Sequence, residues 1–257
     1  MLHRAQLELC ERIDIVLVSP RNPLNIGAAA RAMANFGFRR LSVVAPFAPL
    51  WREARSAIGA PHLLQDAIET ATLAEAVSRS TLVLGTGSLT HRKPEQSVVS
   101  LPDLPPLVAR ELASGGQVAL VFGPEKHGLT GEDLSYCHML VEIPTDLRQP
   151  SMNLGQSVAV CLYELASRAF PAEASAPEVE SNRPNHAASS GKLELLASVV
   201  EEAMLAADYS PSSMRDANRH DLRLLLRRLA PSERDTRRIL GLFRRILWRL
   251  KRVPKGH

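Results

Sequence analysis

Residues 13–37 read IDIVLVSPRNPLNIGAAARAMANFG, and this stretch decides the fold class. Its first six residues form a short, nearly continuous apolar run, the mark of a strand buried on both faces. The segment after Asn25 reads as a helix, with Asn25 as its N-cap and Gly37 as its C-terminal stop. The same passage from strand to helix recurs downstream. Residues 41–44 (LSVV), 81–85 (TLVLG), 118–122 (VALVF) and 140–143 (LVEI) read as further strands. Residues 66–78 and 104–113 read as helices, and 86–97 (TGSLTHRKPEQS) as a polar connection. Leu154, Val158, Cys161, Leu162, Leu165 and Ala169 share one face of a longer helix. This alternation predicts an α/β domain over residues 1–170, a mostly parallel sheet with helices on both faces.

The composition then changes. Residues 171–190 (PAEASAPEVESNRPNHAASS) hold almost no large apolar side chain and read as a flexible linker. Residues 191–257 read as a small all-α unit. One amphipathic helix covers 191–207, and capping boxes at Ser213–Asp216 and Ser232–Asp235 open two more. Leu222, Leu225, Leu226 and Leu229 form one apolar stripe; Ile239, Leu242, Phe243, Ile246, Leu247 and Leu250 form the other. Arg237, Arg238, Arg244, Arg245, Arg249 and Arg252 lie off that second stripe and face outward.

Charge follows the same division. The net charge of +4 conceals 14 Lys/Arg against 4 Asp/Glu over residues 215–257, and 17 against 23 before them. A basic tail on an acidic body suits a polyanionic partner such as nucleic acid, or is a solvated helix face. At 257 residues the chain is long enough for a core without disulfide or metal staples. The three cysteines, Cys10, Cys137 and Cys161, are far apart and form no C-x-x-C pair, which fits a reducing cytoplasm. No metal site is expected, since Cys137-His138 has no second cluster at ligand spacing. No apolar run approaches the ~18–20 residues of a membrane span, and the opening MLHRAQLELCER does not read as a secretory signal.

Three constellations on the body carry chemistry. The first is Asn25-Ile-Gly27-Ala-Ala-Ala-Arg31, where small residues let a helix start approach a ligand closely. The second, Phe122-Gly-Pro-Glu125-Lys-His-Gly128-Leu129, follows the fourth strand, where ligands bind in open α/β sheets. It is neither a phosphate P-loop nor a dinucleotide fingerprint. Glu125 can pair with a cationic group or an RNA base edge, or simply face water. The third is Ile143-Pro144, a polar gap, and then Ser151-Met152-Asn153-Leu154. Ser151 or Asn153 can serve as a helix cap or hold a substrate hydroxyl.

Together the three resemble the SPOUT class of RNA methyltransferases, in the SpoU/TrmH branch of 2′-O-methyltransferases. The likeness rests on N-x-G-x-x-x-R (Asn25, Gly27, Arg31), F-G-x-E-x-x-G-L (122–129), and I-P followed by S-x-N-L (151–154). The opening LVSPRNPLNIGAAARAM and the appended helical tail look most like the TrmJ group, which methylates the ribose of a pyrimidine at position 32 of tRNA. Met152 departs from the Leu common there, a conservative change. The resemblance implies a trefoil knot and a homodimer whose site is completed near the subunit interface. It implies S-adenosylmethionine held by Thr86, Gly87, Ser88, Gly123, Ile143, Pro150, Ser151, Met152 and Leu154. Arg31, Ser151, Asn153 and Asn25 would carry the chemistry, Arg31 as base or as a clamp on the target phosphate. Arg31, Glu125 and the tail's Arg237, Arg238, Arg244 and Arg245 would hold RNA. The scarcity of aromatic residues (4%) favours reading by backbone and shape over base stacking. A ribosomal RNA methyltransferase of the same fold, an inactive RNA-binding protein and a DNA-binding regulator built on the tail helices are the competing readings.

Overall fold

The computed structural model describes residues 10–87, 94–168 and 187–252. Seven parallel strands form one sheet: β1 (Ile13–Val18), β2 (Arg40–Val44), β3 (Ile68–Thr70), β4 (Leu82–Thr86), β5 (Ser97–Ser100), β6 (Val118–Phe122) and β7 (Met139–Glu142). Their spatial order is β3-β2-β1-β6-β4-β7-β5. The body's helices are α1 (Pro23–Phe36), α2 (Pro61–Gln65), α3 (Leu73–Ala76), α4 (Leu104–Ala113), α5 (Gly131–Ser135) and α6 (Leu154–Arg168). The period-2 alternation of β1 sorts the core. Ile13, Ile15 and Leu17 face α1, α4 and α6, whereas Val16 and Val18 face α3 and the segment around Tyr136. Both faces are therefore covered, as near-continuous apolar strands require. The late strands β6 and β7 insert between strands laid down earlier, β6 between β1 and β4 and β7 between β4 and β5.

The expected helix over 66–78 is absent. In its place, after the short helix α2, come the edge strand β3 and the single turn of helix α3. Ile68–Thr70 pairs with β2, and Thr72 with Glu75 makes a reciprocal cap that starts a fresh helix. Where the polar connection ends lies β5, an unexpected four-residue edge strand with a single neighbour and only Val98 and Val99 to betray it. The N-cap of α1 is Asn22, not Asn25. Its side chain accepts from the Leu24 N–H, and Pro23 at the first helical position presets φ and needs no hydrogen-bond partner. Gly37 ends the helix at φ 80°, the left-handed conformation expected of it.

The basic tail folds as α7 (Ser190–Ala206), α8 (Arg215–Leu229) and α9 (Glu233–Leu250). Ser232 caps α9 as expected, accepting from the Asp235 N–H. The Ser213 capping box does not form; a 3-10 turn leads into α8 behind Met214, with no side-chain cap. The last residues of the proposed linker are structured. Ala187 bridges to Ser232, and Ser190 begins α7. The start of α7 is tied to the body, where the Ser190 and Gly191 N–H groups donate to the carbonyls of Ser80 and Ser78. The apolar stripes are only half used. Leu226 is buried, while Leu225, Leu229, Leu242 and Ile246 are exposed.

Several tail arginines face inward. Arg223 donates to Glu194 of α7 and Glu132 of α5, and its guanidinium stacks on Tyr136 at 4.2 Å. Arg227 is fully enclosed, donating to the Tyr136 carbonyl, the Arg223 carbonyl, Ser190 Oγ and Glu194. Arg215 and Arg219 flank Glu201, which is 1% exposed. Cys10, Cys137 and Cys161 are buried free thiols. His138 is likewise structural. Its Nδ1 accepts from the Val83 N–H, and burial, helped by Arg227, pushes its pKa down to about 3. No helix among the described residues is long and apolar enough to cross a membrane.

Candidate active site

The carboxyl ends of β1, β4, β6 and β7 gather the three constellations. A hydrogen-bond chain joins them: Asn153 Nδ2 donates to Asn25 Oδ1 and Asn25 Nδ2 donates to Glu125 Oε1, each at 2.9 Å. Residues 128 and 100 positions apart are thus held side by side. Asn153 also accepts at Oδ1 from the Gly155 N–H at 2.9 Å, so it caps the first turn of α6 while its amide bridges to α1. Gly155 lets these helices touch, since an added Cβ would stand 2.7 Å from that of Ala28.

Glu125 ties the loop after β6 to the start of α1. Oε2 accepts from the Arg21 N–H and Oε1 from the Asn22 N–H, each at 3.1 Å. Partial burial pushes its carboxyl up, but the Asn25 and backbone hydrogen bonds outweigh that and hold it below the usual range. Both oxygens have partners within the chain, and the residue stays exposed, so Glu125 ties the start of α1 to the loop after β6 while still facing solvent.

Beside this chain lies a cleft of about 280 Å³, lined by Thr86 and Gly87 after β4, residues 122–128 after β6, and Ile143, Thr145, Pro150, Ser151, Met152, Leu154 and Ser157. Its size is close to the lower end of small-molecule pockets, ~300–1,000 Å³. Gly123 makes the bend possible. A Cβ there would stand 2.2 Å from the Leu129 nitrogen and 2.3 Å from the Gly128 carbonyl carbon, so the loop could not return over the strand. Eight of the nine residues expected around a cofactor line this cleft; Ser88 lies outside the described residues. Thr86 contributes less than its hydroxyl suggests, because Oγ1 donates to the Val121 carbonyl at 3.0 Å and locks β4 to β6. The Ser151 side chain is exposed, and among the described residues nothing hydrogen-bonds its hydroxyl. Thr145 and Ser157 were missed by sequence reasoning; both sit on the chain entering or leaving the 151–154 motif. Its lining of Ile143, Met152 and Leu154 together with the hydroxyls of Thr145, Ser151 and Ser157 suits a ligand that joins an apolar ring to a polar tail.

Arg31 does not line the cleft. It stands exposed on α1, and among the described residues its guanidinium has no hydrogen bond or ion pair. Leu24, Arg31 and Asn35 form an exposed stripe on α1, beside Gln156, Val160 and Tyr163 on α6. Arg237, Arg238, Arg244 and Arg245 are all exposed on α9. Arg237 pairs with Glu233, and Arg245 stacks on Trp248 at 4.2 Å.

Comparison with known proteins gives this arrangement a lineage. The model of the SpoU rRNA Methylase family matches residues 12–163. The tRNA (cytidine/uridine/adenosine-2′-O-)-methyltransferase TrmJ of Pseudomonas aeruginosa is 33% identical over 254 residues, covering 96% of this chain and 97% of the relative. The tRNA (cytidine/uridine-2′-O-)-methyltransferase TrmJ of Escherichia coli K12 is 30% identical, covering 97% and 99%. Among solved structures, TrmJ from Z. mobilis superposes with a TM-score of 0.78 at 26% identity, covering 91% of this chain and 98% of that one. The SPOUT fold implied by the motifs is the fold of this chain.

Proposed function

The chain belongs to the SpoU methylase family, and from that premise we propose that it methylates the ribose 2′-hydroxyl of a pyrimidine in the anticodon loop of tRNA, at position 32. The observation that carries the reading is the Asn153–Asn25–Glu125 chain, which joins three family motifs at the rim of one cleft. The likeness to tRNA enzymes extends over the helical tail as well as the body, which favours tRNA over ribosomal RNA.

S-adenosylmethionine, when bound, supplies a methyl group on a cationic sulfur. Gly87, Gly123, Ile143, Pro150, Met152 and Leu154 would hold it in the cleft, which the bend at Gly123 keeps open. Ser151, whose hydroxyl is unengaged, orients the target ribose, and Asn153 and Asn25 fix the Ser151 segment against α1. Alignment of two reactants of this kind accounts for several kcal/mol of barrier. Arg31 grips the flanking phosphate in a bidentate contact. As the oxygen–methyl bond forms and the sulfur–methyl bond breaks, the hydroxyl proton would leave late, to solvent water at the exposed Ser151 rim, because a methylated oxygen is far more acidic than the alcohol.

Because Arg31 stands outside its own chain's cleft, it serves the cleft of a second copy. The exposed stripes of α1 and α6, with Leu24 55% and Tyr163 58% exposed, provide the apolar surface for that homodimer. The test is methylation of bulk tRNA and of ribosomal RNA with the modified nucleotide mapped, beside light scattering for mass. Arg31→Ala should abolish transfer, and the rate of the parent should show no break near neutral pH attributable to a base. Near-normal turnover by Arg31→Ala, or methyl incorporation into ribosomal RNA alone, would overturn the proposal.

A further inference from the structure

At the same edge of the sheet, on the β2 side, two loops are held in costly conformations. Ser19, just after β1, has φ 44°, and Ala45, just after β2, has φ 41°. Neither is glycine, so surrounding structure must impose each conformation. The imposing contacts are clear: the Ser19 N–H donates to the Val44 carbonyl, the Ala45 N–H to Thr70, and the Phe47 N–H to Pro20. The result clamps the two loops together and presents two side chains. Phe47 is 73% exposed, and the Arg21 guanidinium lies over its ring, 5.4 Å from the centroid. Arg21 has no ion-pair partner among the described residues, and its own N–H is held by Glu125.

Strand order fixes where this pair sits. Along the carboxyl edge the sequence is Phe47 after β2, Arg21 and Asn25 after β1, Glu125 after β6, then the cleft after β4 and β7. Phe47 and Arg21 therefore flank the Asn25–Glu125 link on the side opposite the cleft. An aromatic ring with one face covered by an unpaired guanidinium and the other open to solvent combines the two elements that hold a single-stranded nucleotide: a stacking surface and a phosphate contact.

We propose that Phe47 and Arg21 form a subsite for one unpaired nucleobase of the substrate RNA, with the base stacked on the open face of Phe47 and Arg21 on its phosphate. This deepens the RNA-modifying reading above and rests on it. It also amends the expectation of purely backbone and shape recognition: aromatics are few, and one of them stands exposed where a base would arrive. The neighbouring Leu50 and Ile58, 65% and 66% exposed, make a rival occupant conceivable, namely another protein surface. A guanidinium lying over the ring favours the nucleotide.

Base–aromatic stacking contributes roughly 1–3 kcal/mol per base, about 5- to 150-fold in affinity. The experiment uses the full chain and an anticodon stem-loop RNA, with a set of stem-loops each lacking one loop base. The parent should lose about 5-fold or more on removal of one particular base. Phe47→Ala should bind the intact stem-loop that much more weakly and lose nothing further when that base is absent. Phe47→Trp should restore both affinity and the base dependence, and S-adenosylmethionine affinity should not move in any variant. Additive losses at every loop position would overturn the subsite, as would Phe47→Ala binding within twofold of the parent. A change of oligomeric mass in Phe47→Ala with RNA affinity intact would assign the surface to protein instead. Binding is measured without turnover, so a parent that binds the stem-loop and fails to methylate it refutes the proposed reaction and leaves the base cycle readable.

Discussion

Replacing Arg227 by Met should loosen the helical tail from the body while sparing the cleft. The side chain is 2% exposed and makes four hydrogen bonds, among them 2.9 Å to the Tyr136 carbonyl and 3.2 Å to Glu194. Methionine fills similar volume and donates nothing. The Tyr136 carbonyl loses a partner and Glu194 keeps only Arg223. Breaking a buried ion pair from one side costs about 3–5 kcal/mol. Because Glu194 retains Arg223 and is 21% exposed, the lower end applies, about 3 kcal/mol. For a chain of this size each kcal/mol moves the melting temperature by about 2–4 °C, so the midpoint should fall by about 6–12 °C.

Two tryptophans report on the two regions: Trp51 in the body core at 1% exposure, and Trp248 on α9. In single-tryptophan variants the Trp248 signal should change first in Arg227→Met, with Trp51 following at higher denaturant. S-adenosylmethionine affinity should stay within a few-fold of the parent. Arg238→Met, exposed and without an ion pair among the described residues, is the control and should cost no more than about 0.5 kcal/mol. If Arg227→Met were no less stable than Arg238→Met, the inward arginines would not be the latch.

Glu125→Gln replaces an acceptor-only group with one that turns N–H toward N–H at Arg21 or Asn22; solvent exposure limits the loss to about 1–2 kcal/mol. It should lower kcat with the KM for tRNA little changed, whereas a rise in that KM alone would restore the base-edge role. Gly123→Ala should abolish S-adenosylmethionine binding, read by calorimetry, while circular dichroism keeps its native helix content, because the added Cβ meets backbone at 2.2 Å. His138 gives a pH dependence. Its folded pKa of about 3 lies below the ordinary value of 6.5, so the unfolded chain alone takes a proton in between and stability falls as pH drops through that window. In urea titrations His138→Gln should flatten that slope by up to about 1.4 kcal/mol per pH unit; parallel pH profiles would contradict a buried neutral imidazole.

The body was legible where one local signal was strong. Strands buried on both faces announce themselves as apolar runs, and α4, bounded by Asp103 and Ser114, matched its expected limits. The failures share a cause. The edge strands β3 and β5 are short, each pairs with a single neighbour, and their existence depends on β2 and β7 arriving alongside. Motif spacing picked out residues that line the cleft, yet the hydrogen-bond partners of Asn25 and Glu125 were not legible, since they lie a hundred positions apart in the chain. Nothing near Glu125 in the chain says that its oxygens meet the N–H groups of Arg21 and Asn22.

The charge asymmetry shows the same limit and a way past it. Fourteen cations over residues 215–257 were counted as one basic tail, with only the six arginines of the last helix assigned an outward face. Arg215, Arg219, Arg223 and Arg227 instead recur every four residues, one stripe along α8, and Glu194 and Glu201 stand seven apart on α7. Antiparallel pairing of those two stripes places Arg215 and Arg219 on Glu201, and Arg223 and Arg227 on Glu194. Periodicity of charge, applied as periodicity of apolar residues is, separates these structural arginines from the rest. What remains for a polyanion is the outward set on α9 together with the exposed Arg228 of α8; Arg245 and Arg252 both lie over the Trp248 ring, at 4.2 and 4.1 Å. With two guanidiniums against its ring and 39% exposure against 73% for Phe47, Trp248 offers a base less surface, so α9 suits phosphates and the proposed nucleobase contact stays with Phe47.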